Sequence, residues 1–517
     1  MRLLFTFLVL LPLALGCRSA ETGDGSQEGH NRYATLKIYH TNDIHAHLLP
    51  DGQGRGGLAY LASVLKVVKD QEKSALILDA GDIYKKGSMP AQVSHDEVTA
   101  DLVSMMPYYD ARAVGNNEVK VGMTQLQEWA KTKEKAPLLS ANLVDKQNKP
   151  VFQPSLFIKR DGLNIGIIGV TPLVPIEKDA QADPAKDTRA PYKILSPDEA
   201  LPPLIKALRP QVDVLILLSH QPFRDNLRWA REHPEIDLIV SGHSHVLTSD
   251  QKILGGNLVV ETGAFGRNLG VATLVYDRTD KRVSSIDSTF WPIGTDTQMP
   301  DPKMTEAIKE DYKKWAPDAF KSLGLTAGDM SLIDLNTPYE GSLVDWTADV
   351  FCAKTNCDLA VVNRDMLRED VKKGKVTKET LYLAAPYDDK IATIAISKDK
   401  ILKMLKESMT SYYKKNSFLE YGFSKASVKI KMDPKAGMQI GIKLAKAGDD
   451  KTELKVALPE YMITHCQDFF SPSFCPLPKG EVHGDVRKAM EESVELVHTV
   501  SPPEMGRVRI TSDVDGE

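Results

Sequence analysis

The sequence predicts an α/β protein with two domains, and three observations lead to this prediction. With 517 residues, the chain is too long for one ordinary core, so two domains and a connection are expected. An apolar content of 42% and a charged content of 26% are typical of globular proteins. From residue 35 to about 297, strand-like apolar runs alternate with amphipathic stretches, which indicates an α/β sandwich on a largely buried sheet.

The individual elements of this first region follow from hydrophobic periodicity. The clearest predicted strands cover 35–39, 74–78, 163–170, 212–218, 236–240 and 257–261. Amphipathic helices are predicted between them over 58–70, 122–134 and 224–233. In folds of this type, polar residues at the ends of the strands tend to form the functional site.

The N-terminus is typical of an export signal. Met1 and Arg2 precede an apolar run that ends at Leu15 and is shorter than the ~20 residues needed to cross a bilayer. The segment ALGC, ending at Cys17, resembles a bacterial lipoprotein signal, in which the Cys is lipidated. We expect a signal peptide over 1–16 and a lipidated Cys with a flexible tether over 17–33. An ordinary signal peptide that is cut a few residues later is the alternative.

This N-terminus predicts an exported protein, either periplasmic or on the cell surface, that contacts the membrane through its lipid. Four cysteines remain after Cys17, and an even number in an exported protein suggests disulfides. Cys352–Cys357 and Cys466–Cys475 are the simplest pairs, while other connectivities and free thiols stay open. The formal net charge of −5 gives no reason to expect a nucleic-acid partner. We expect a monomer.

Polar residues of the metal-binding type follow several of the apolar runs. In HTNDIHAH at 40–47, Asp43 and His45 stand two residues apart, which directs both side chains to the same side of an extended backbone. The runs LILDAGD, AVGNNE, LLSH and IVSGHSH supply further candidates, namely Asp82, Asn116, His220, His243 and His245. Any one of them has an ordinary explanation as a cap, a turn or a solvated residue. Their joint occurrence at the same end of one sheet indicates a divalent-metal site.

The order of these motifs resembles that of the calcineurin-like metallophosphoesterases. The segments PLLSANL at 137–143, IGIIGVTP at 165–172 and VVETGAFGRNLG at 259–270, with the C-terminal half, narrow the resemblance to the secreted 5′-nucleotidase / UDP-sugar hydrolase family. The resemblance implies a four-layer α/β/β/α metallophosphoesterase domain over 34–298. A linker helix over 299–325 and a C-terminal α+β 5′-nucleotidase-like substrate domain over 326–517 would follow.

The resemblance also implies a site for two metal ions. One ion would be held by Asp43, His45, Asp82 and His245. Asp82 would bridge to the second ion, which would be held with Asn116, His220 and His243. Two such ions clamp phosphoryl oxygens and lower the pKa of a bound water, so a metal-bound hydroxide would be the nucleophile. Mixed oxygen and imidazole ligands suit Mn, Zn, Fe or Co.

One part of the family pattern is missing. The family's turn normally reads Gly-Asn-His-Asp/Glu, and its His, oriented by an Asp three residues later, hydrogen-bonds the phosphate or the leaving group. Here the turn reads GNNE at 115–118, so Asn117 replaces the His, and Lys120 replaces the Asp. A positioned acid contributes about 10²–10⁴-fold to the rate. Asn117, through its amide, and His47, near the metal ligands, are the candidate catalytic substitutes.

In the second domain, the resemblance implies a substrate pocket that has been remodelled. Asn363 and Arg368 of NRDMLR would contact the phosphate or ribose, although residues 364–366 replace the family's glycines. Phe418 and Phe469 would sandwich a base, and core packing is the alternative explanation for each of them.

Three functions are compatible with the sequence. The leading hypothesis is an exported, metal-dependent phosphoesterase that hydrolyses nucleotides or related phosphate esters, weakened by the missing His-Asp dyad. The second is a catalytically inactive relative that binds metal and a nucleotide-like ligand. The third is a hydrolase of a different oxyanion ester.

Overall fold

The structure is a computed structural model that describes residues 32–174, 191–248, 258–333, 340–414, 421–433, 437–445 and 450–512. The strands are β1 Tyr33–Thr41, β2 Leu76–Asp79, β3 Ala111–Ala113, β4 Leu138–Leu139, β5 Leu143–Asp145, β6 Ser155–Arg160, β7 Leu163–Val170, β8 Tyr192–Ile194, β9 Val214–Ser219, β10 Leu238–Ser241, β11 Leu258–Val260, β12 Asn268–Asp277, β13 Arg282–Pro292, β14 Ser322–Thr326, β15 Leu359–Asn363, β16 Gly374–Thr377, β17 Lys390–Ser397, β18 Tyr421–Ser424, β19 Ala426–Asp433, β20 Gly437–Leu444, β21 Glu453–Pro459, β22 Glu481–Asp485, β23 Thr499–Val500 and β24 Val508–Ser512. The helices are α1 Leu58–Gln71, α2 Met89–Val93, α3 Glu97–Ser104, α4 Asn116–Val121, α5 Met123–Thr132, α6 Pro197–Leu208, α7 Phe223–Glu232, α8 Pro302–Trp315, α9 Ser342–Thr355, α10 Lys378–Ala384, α11 Lys398–Lys414, α12 Glu460–Thr464, α13 Cys466–Phe469 and α14 Val486–Val497.

Two sheets form the centre of the N-terminal domain. The first has the order β13-β12-β1-β2-β3-β4, and the second has the order β11-β10-β9-β7-β6. In the first sheet, β1 to β4 are parallel to one another, whereas β12 pairs antiparallel with β1, and β13 pairs antiparallel with β12 at the edge. In the second sheet, β7, β9, β10 and β11 are parallel. The parallel strands of each sheet therefore end at a common edge.

The two sheets pack face to face. Apolar side chains from both sheets, including Ile38, Leu78, Ile165, Ile216 and Val240, form one buried cluster. Helices α1, α3, α5 and α8 cover the outer face of the first sheet, and α6 and α7 cover that of the second. This arrangement is the α/β/β/α sandwich expected from the sequence.

The strands and helices predicted for this domain are present, with boundaries that differ by a few residues. The 163–170 prediction coincides with β7, whereas 74–78 corresponds to β2, which begins two residues later. The predicted linker helix over 299–325 is shorter in the structure, since α8 ends at Trp315. Its last residues form β14, which pairs with β16 and β23 of the C-terminal domain.

The C-terminal domain is built on a mixed sheet with the order β18-β15-β21-β17-β22. Two disulfides lie in this domain, Cys352–Cys357 and Cys466–Cys475, and these are the simplest pairs predicted from the sequence. The predicted export segment with Cys17 lies outside the described residues. Within the described ranges, no helix has the length and apolar character needed to cross a bilayer.

Two glutamates of the C-terminal domain hold it against the N-terminal domain. Glu369 lies 3.1 Å from His47 Nε2 and accepts a hydrogen bond from Arg267 at 2.8 Å. Glu379 accepts from the backbone N–H of Met89 at 2.9 Å and from Tyr312 Oη at 2.6 Å. The domain interface therefore depends on carboxylates whose partners lie in the other domain or on the connecting helix.

Replacing Glu379 tests the strength of this interface. Glu379→Ala leaves the Met89 N–H and the Tyr312 O–H without an acceptor in a buried place, and each such loss costs about 1–3 kcal/mol. We expect the free energy of unfolding to fall by about 2–5 kcal/mol in urea denaturation. The control Glu306→Ala lies on the exposed side of α8 and should change the free energy by less than about 0.5 kcal/mol. Equal stability of the two variants would contradict this role for Glu379.

Candidate active site

The seven predicted metal ligands all follow the carboxyl ends of parallel strands. Asp43 and His45 follow β1, Asp82 follows β2, and Asn116 follows β3. His220 directly follows β9, and the pair His243 and His245 follows β10. Because the strands of both sheets end at the same side of the sandwich, the structure brings these side chains together.

The Asp43 carboxylate lies at the centre of the cluster. Its Oδ1 atom lies 3.6 Å from His45 Nε2, 3.4 Å from His245 Nε2 and 3.8 Å from His220 Nε2. Asp82 Oδ2 lies 3.1 Å from His220 Nε2 and 3.9 Å from His45 Nε2. Two groups of three possible ligands result, Asp43 with His45 and His245, and Asp43 with Asp82 and His220.

The chemistry of this cluster fits divalent cations. Asp43 Oδ1 and His220 Nε2 are buried and have no hydrogen-bond partner among the described residues. His45 Nε2 and His245 Nε2 face each other at 3.1 Å. Buried polar atoms normally have partners, so lone pairs that converge without donors fit a divalent cation. A set of imidazole and carboxylate ligands without thiolate suits first-row divalent ions.

The electrostatics of the cluster favour ionised carboxylates. Burial acts to raise the pKa of Asp43, but His220, His245 and His45 outweigh it and hold the pKa well below its usual value. Burial lowers the pKa of His45 to about 3 and that of His243 to about 4, so both are neutral near pH 7. His220 differs, because the Asp82 and Asp43 charges raise its pKa to about 10 against the effect of burial. A divalent ion would have to displace that proton.

The backbone of the ligand residues is strained. Asp43, His45, Asp82, His243 and His245 have φ angles of 51°, 50°, 60°, 80° and 58°. Non-glycine residues rarely adopt this left-handed region, at a cost of about 1–3 kcal/mol each. The surrounding contacts therefore have to hold these loops in place.

Two sets of contacts hold the ligand loops. Asn42 donates from Nδ2 to Asp43 Oδ2 at 2.8 Å and to Gly263 O at 2.6 Å, which ties the first loop to the 259–270 segment. Gly115 approaches Asp82 so closely that a Cβ there would lie 2.2 Å from Asp82 Oδ1. These contacts explain the local sequence, because neither a larger residue at 115 nor an apolar one at 42 would fit.

Glu118 is a supporting residue to which sequence analysis assigned no role. Its Oε2 accepts from the backbone N–H groups of Asp82 at 2.8 Å and Gly115 at 2.9 Å, and its Oε1 accepts from Ile83 N at 2.8 Å. Glu118 is completely buried. An acidic residue three positions after the glycine of the turn, where it caps helix α4, is the signal that could have identified it.

Comparison with known proteins agrees with this geometry. A family model described as calcineurin-like phosphoesterase matches residues 36–247, and one described as 5′-nucleotidase, C-terminal domain, matches residues 330–471. The chain belongs to the calcineurin-like metallophosphoesterases with a 5′-nucleotidase C-terminal domain. The proteins of this family are metal-dependent phosphoesterases, and the cluster of Asp and His side chains in this chain is consistent with a hydrolase of phosphoric esters.

Individual relatives are distant. The chain is 25% identical to an uncharacterized metallophosphoesterase of Bacillus subtilis, over 68% of this chain and 73% of that protein. It is 29% identical to a probable 5′-nucleotidase of Treponema pallidum, over 56% of this chain and 52% of that protein, or about half of the relative's length. The crystal structure of a 5′-nucleotidase precursor from Thermus thermophilus matches with a TM-score of 0.76 at 20% identity, covering 92% of this chain and 99% of that chain. This match shows a shared fold.

The two candidate substitutes for the missing histidine of this metallophosphoesterase lie in different places. Asn117 donates to Asp82 through its backbone N–H at 2.7 Å and through its side-chain amide, and it borders the cleft between the domains. His47 donates from Nδ1 to His45 O at 3.0 Å, while its Nε2 faces Glu369 at 3.1 Å. Each ring nitrogen of His47 thus faces an oxygen atom, of His45 or of Glu369. The geometry therefore assigns His47 to the domain interface.

The cleft beside the candidate metal ligands lies between the two domains and has a volume of about 970 Å³. Asn117, Lys86 and Lys120 border it from the N-terminal domain. From the C-terminal domain, Asn363, Arg368, Tyr387, Tyr461 and Phe469 line it. Asn363, Arg368 and Phe469 were selected from the sequence, whereas Lys86, Tyr387 and Tyr461 were not.

The aromatic end of the cleft differs from the expected base sandwich. Phe418 lies outside the described residues. Phe469 packs edge-to-face with Tyr461 at 5.9 Å between ring centroids, and both border the cleft. Asp365 and Met366, which replace glycines of the family motif, also line the cleft. This part of the cleft wall therefore has side chains where the family motif has none.

Glu118 provides a test of how the ligand loops are held. Glu118→Gln keeps the shape but replaces one acceptor oxygen by a donor, so at least one of the three backbone N–H groups loses its partner. Changes in groups that orient metal ligands typically weaken metal affinity by about 10–100-fold, and we expect a loss in this range by titration calorimetry with Mn²⁺. The control Glu128→Gln on the exposed side of α5 should bind Mn²⁺ like the wild type. Unchanged affinity in a folded Glu118→Gln variant would refute this role.

Proposed function

We propose that this metallophosphoesterase hydrolyses phosphate monoesters, nucleotides among them, that bind in the cleft between its domains. The observation that carries the proposal is the position of Asn117, which contacts the metal-ligand residue Asp82 and also borders the cleft. A phosphate at this end of the cleft would lie between the ligand cluster and Arg368 of the second domain. The aromatic end, with Phe469, would hold the leaving group.

The proposal assigns two divalent ions to the cluster. Asp43, His45, Asp82 and His245 would hold one ion. Asp82, Asn116, His220 and His243 would hold the other, and the 2.9 Å contact between Asn116 Oδ1 and His243 Nδ1 supports their shared role. When bound, two such ions would polarise the phosphoryl oxygens and lower the pKa of a coordinated water. Mn, Zn, Fe and Co are compatible with this donor set.

Residues of the C-terminal domain would bind the rest of the substrate. Arg368 is a cation that borders the cleft, and no carboxylate accepts a hydrogen bond from it among the described residues. A guanidinium in this environment suits a phosphate group. Stacking on Phe469 and Tyr461 would favour an aromatic leaving group such as a nucleoside, at about 1–3 kcal/mol per base.

The replaced dyad favours a slower enzyme than an intact family member. The side-chain amide of Asn117 already donates a hydrogen bond to Asp82, and an amide N–H is too weak an acid to transfer a proton to a leaving oxygen. Without the histidine, turnover is slow unless another group in the cleft supplies the proton. The alternatives are an inactive protein that binds metal and nucleotide, and a hydrolase of another oxyanion ester.

Turnover and metal content together test the proposal. With Mn²⁺, the wild type should bind about two ions per chain and release phosphate from at least one ester in a panel of nucleotides and simple phosphate monoesters. Asp82→Asn should bind fewer ions by elemental analysis. The activity of Asp82→Asn should also fall by more than the ~10–100-fold that is typical of changes in residues that only support the metal ligands.

The control for this experiment is Asp145→Asn, an exchange at a partly exposed turn remote from the cleft, which should keep metal and activity. Two bound ions without any phosphate release would favour the inactive binder. Release of sulfate or another oxyanion alone would favour the third function.

We further propose that the protein is exported and anchored to the membrane through a lipid on Cys17. The two disulfides support this proposal, since disulfides persist in oxidising compartments. Stable anchoring needs more than one acyl chain, as lipoproteins carry.

The wild type should fractionate with membranes, and Cys17→Ser should move the protein to the soluble fraction. An unmodified N-terminus in intact-mass analysis would exclude lipidation.

A further inference from the structure

Tyr387 is a half-buried residue of the cleft to which the proposed function assigns no role. It follows helix α10, on the wall that the C-terminal domain contributes. Arg368 donates two hydrogen bonds to its phenolic oxygen, from Nε at 3.1 Å and from Nη2 at 2.5 Å. A guanidinium has only donors, so the phenolic proton cannot point at Arg368.

The phenolic proton of Tyr387 has no acceptor among the residues that the structure describes. Among the hydrogen bonds of the described residues, Tyr387 Oη takes part only in the two donated by Arg368. Because the residue borders the cleft, its O–H is free to donate to a ligand bound there. This geometry is that of a hydrogen-bond donor held by a fixed cation.

Cations surround the Tyr387 ring. Lys86 Nζ lies 5.6 Å from the ring centroid, and Arg368 Cζ lies 5.5 Å from it. Burial acts to raise the pKa of the phenol, but Lys86, Arg368 and Lys120 outweigh it and lower the pKa below its usual value. The phenolate that remains after proton transfer would be stabilised by the same charges.

The same cations connect Tyr387 to the metal centre. The charge of Lys86 acts to lower the pKa values of His45 and His243, and the charge of Asp82 acts to raise that of Arg368. Lys86 and Arg368 are thus within electrostatic range of both the ligand cluster and the phenol. Asn117, which contacts Asp82, borders the same cleft.

We propose that Tyr387 protonates the leaving oxygen of the phosphate ester, in place of the imidazole that this chain lacks. The inference rests on the proposed hydrolysis. A water oxygen bonds to phosphorus, the bond from phosphorus to the leaving oxygen breaks, and that oxygen takes the phenolic proton. The proton lost by the attacking water returns to the phenolate through solvent. The products are the alcohol and inorganic phosphate.

Two esters that differ only in their need for a proton test this role in Tyr387→Phe. The leaving group of an alkyl phosphate or a nucleoside 5′-monophosphate is a strongly basic alkoxide. The leaving group of p-nitrophenyl phosphate is a stable phenolate that needs no proton. We expect kcat on the alkyl ester to fall by about 10²–10⁴-fold. On p-nitrophenyl phosphate, kcat should change by less than about threefold, because the acid contributes little there.

The control is Tyr382→Phe, which removes a hydroxyl from a neighbouring tyrosine outside the cleft and should leave both rates unchanged. Metal content and the unfolding transition of Tyr387→Phe should match the wild type. An equal loss on both esters would mean that Tyr387 only supports the fold or binds substrate, and it would overturn the inference. No loss on the alkyl ester would overturn it as well.

The test also separates this inference from the proposed function. A wild-type protein with bound metal that hydrolyses neither ester refutes the hydrolase itself and, with it, the role of Tyr387. A wild type that hydrolyses both esters supports the hydrolase, and the ratio of the two rates in Tyr387→Phe then decides the role of the phenol.

Discussion

The Asp43 carboxylate is enclosed by three imidazoles at the point where the two sheets of the sandwich end. Its Oδ2 is held by Asn42 and by the backbone N–H of His243, at 2.8 Å each, which leaves Oδ1 facing the imidazoles. The main chain is fixed as well, since Asp43 N donates to Gly81 O and Asp43 O accepts from Phe265 N. The contacts of this one residue therefore join four separate loops, and the ligand geometry depends on all of them.

The same loop also determines where the second domain sits. Residues 40–47 carry Asp43 and His45 on one side and His47 on the other, and His47 faces Glu369 of the C-terminal domain. Phe265 stacks on the His47 ring at 4.1 Å between centroids. A shift of this loop would change the ligand cluster and the width of the cleft together. The ligand cluster and the domain interface are therefore connected through this one loop.

The sequence predicted the α/β sandwich and the clustering of the candidate metal ligands because both depend on local patterns. Apolar runs mark buried parallel strands, and polar residues after them must lie at one edge. The end of helix α8 was not predicted, because β14 is stabilised by pairing with β16 and β23, which lie 48 or more residues later. Tyr387 and Glu369 were missed for a similar reason. Their roles arise from partners in distant segments, and no local spacing marks them.

The replacement of the family's His by Asn117 and of its Asp by Lys120 can be explained together by the charges of the cleft. In the family pattern, an Asp beside the His favours the protonated imidazole and holds it in place. Lys120 at that position would oppose a protonated imidazole, but it contributes to the cations that lower the pKa of the Tyr387 phenol. A general acid is most effective when its pKa lies near the working pH. An imidazole approaches that pH when its pKa is raised, whereas a phenol approaches it when its pKa is lowered. A neighbouring carboxylate therefore favours an imidazole as the acid, and a cluster of cations favours a phenol.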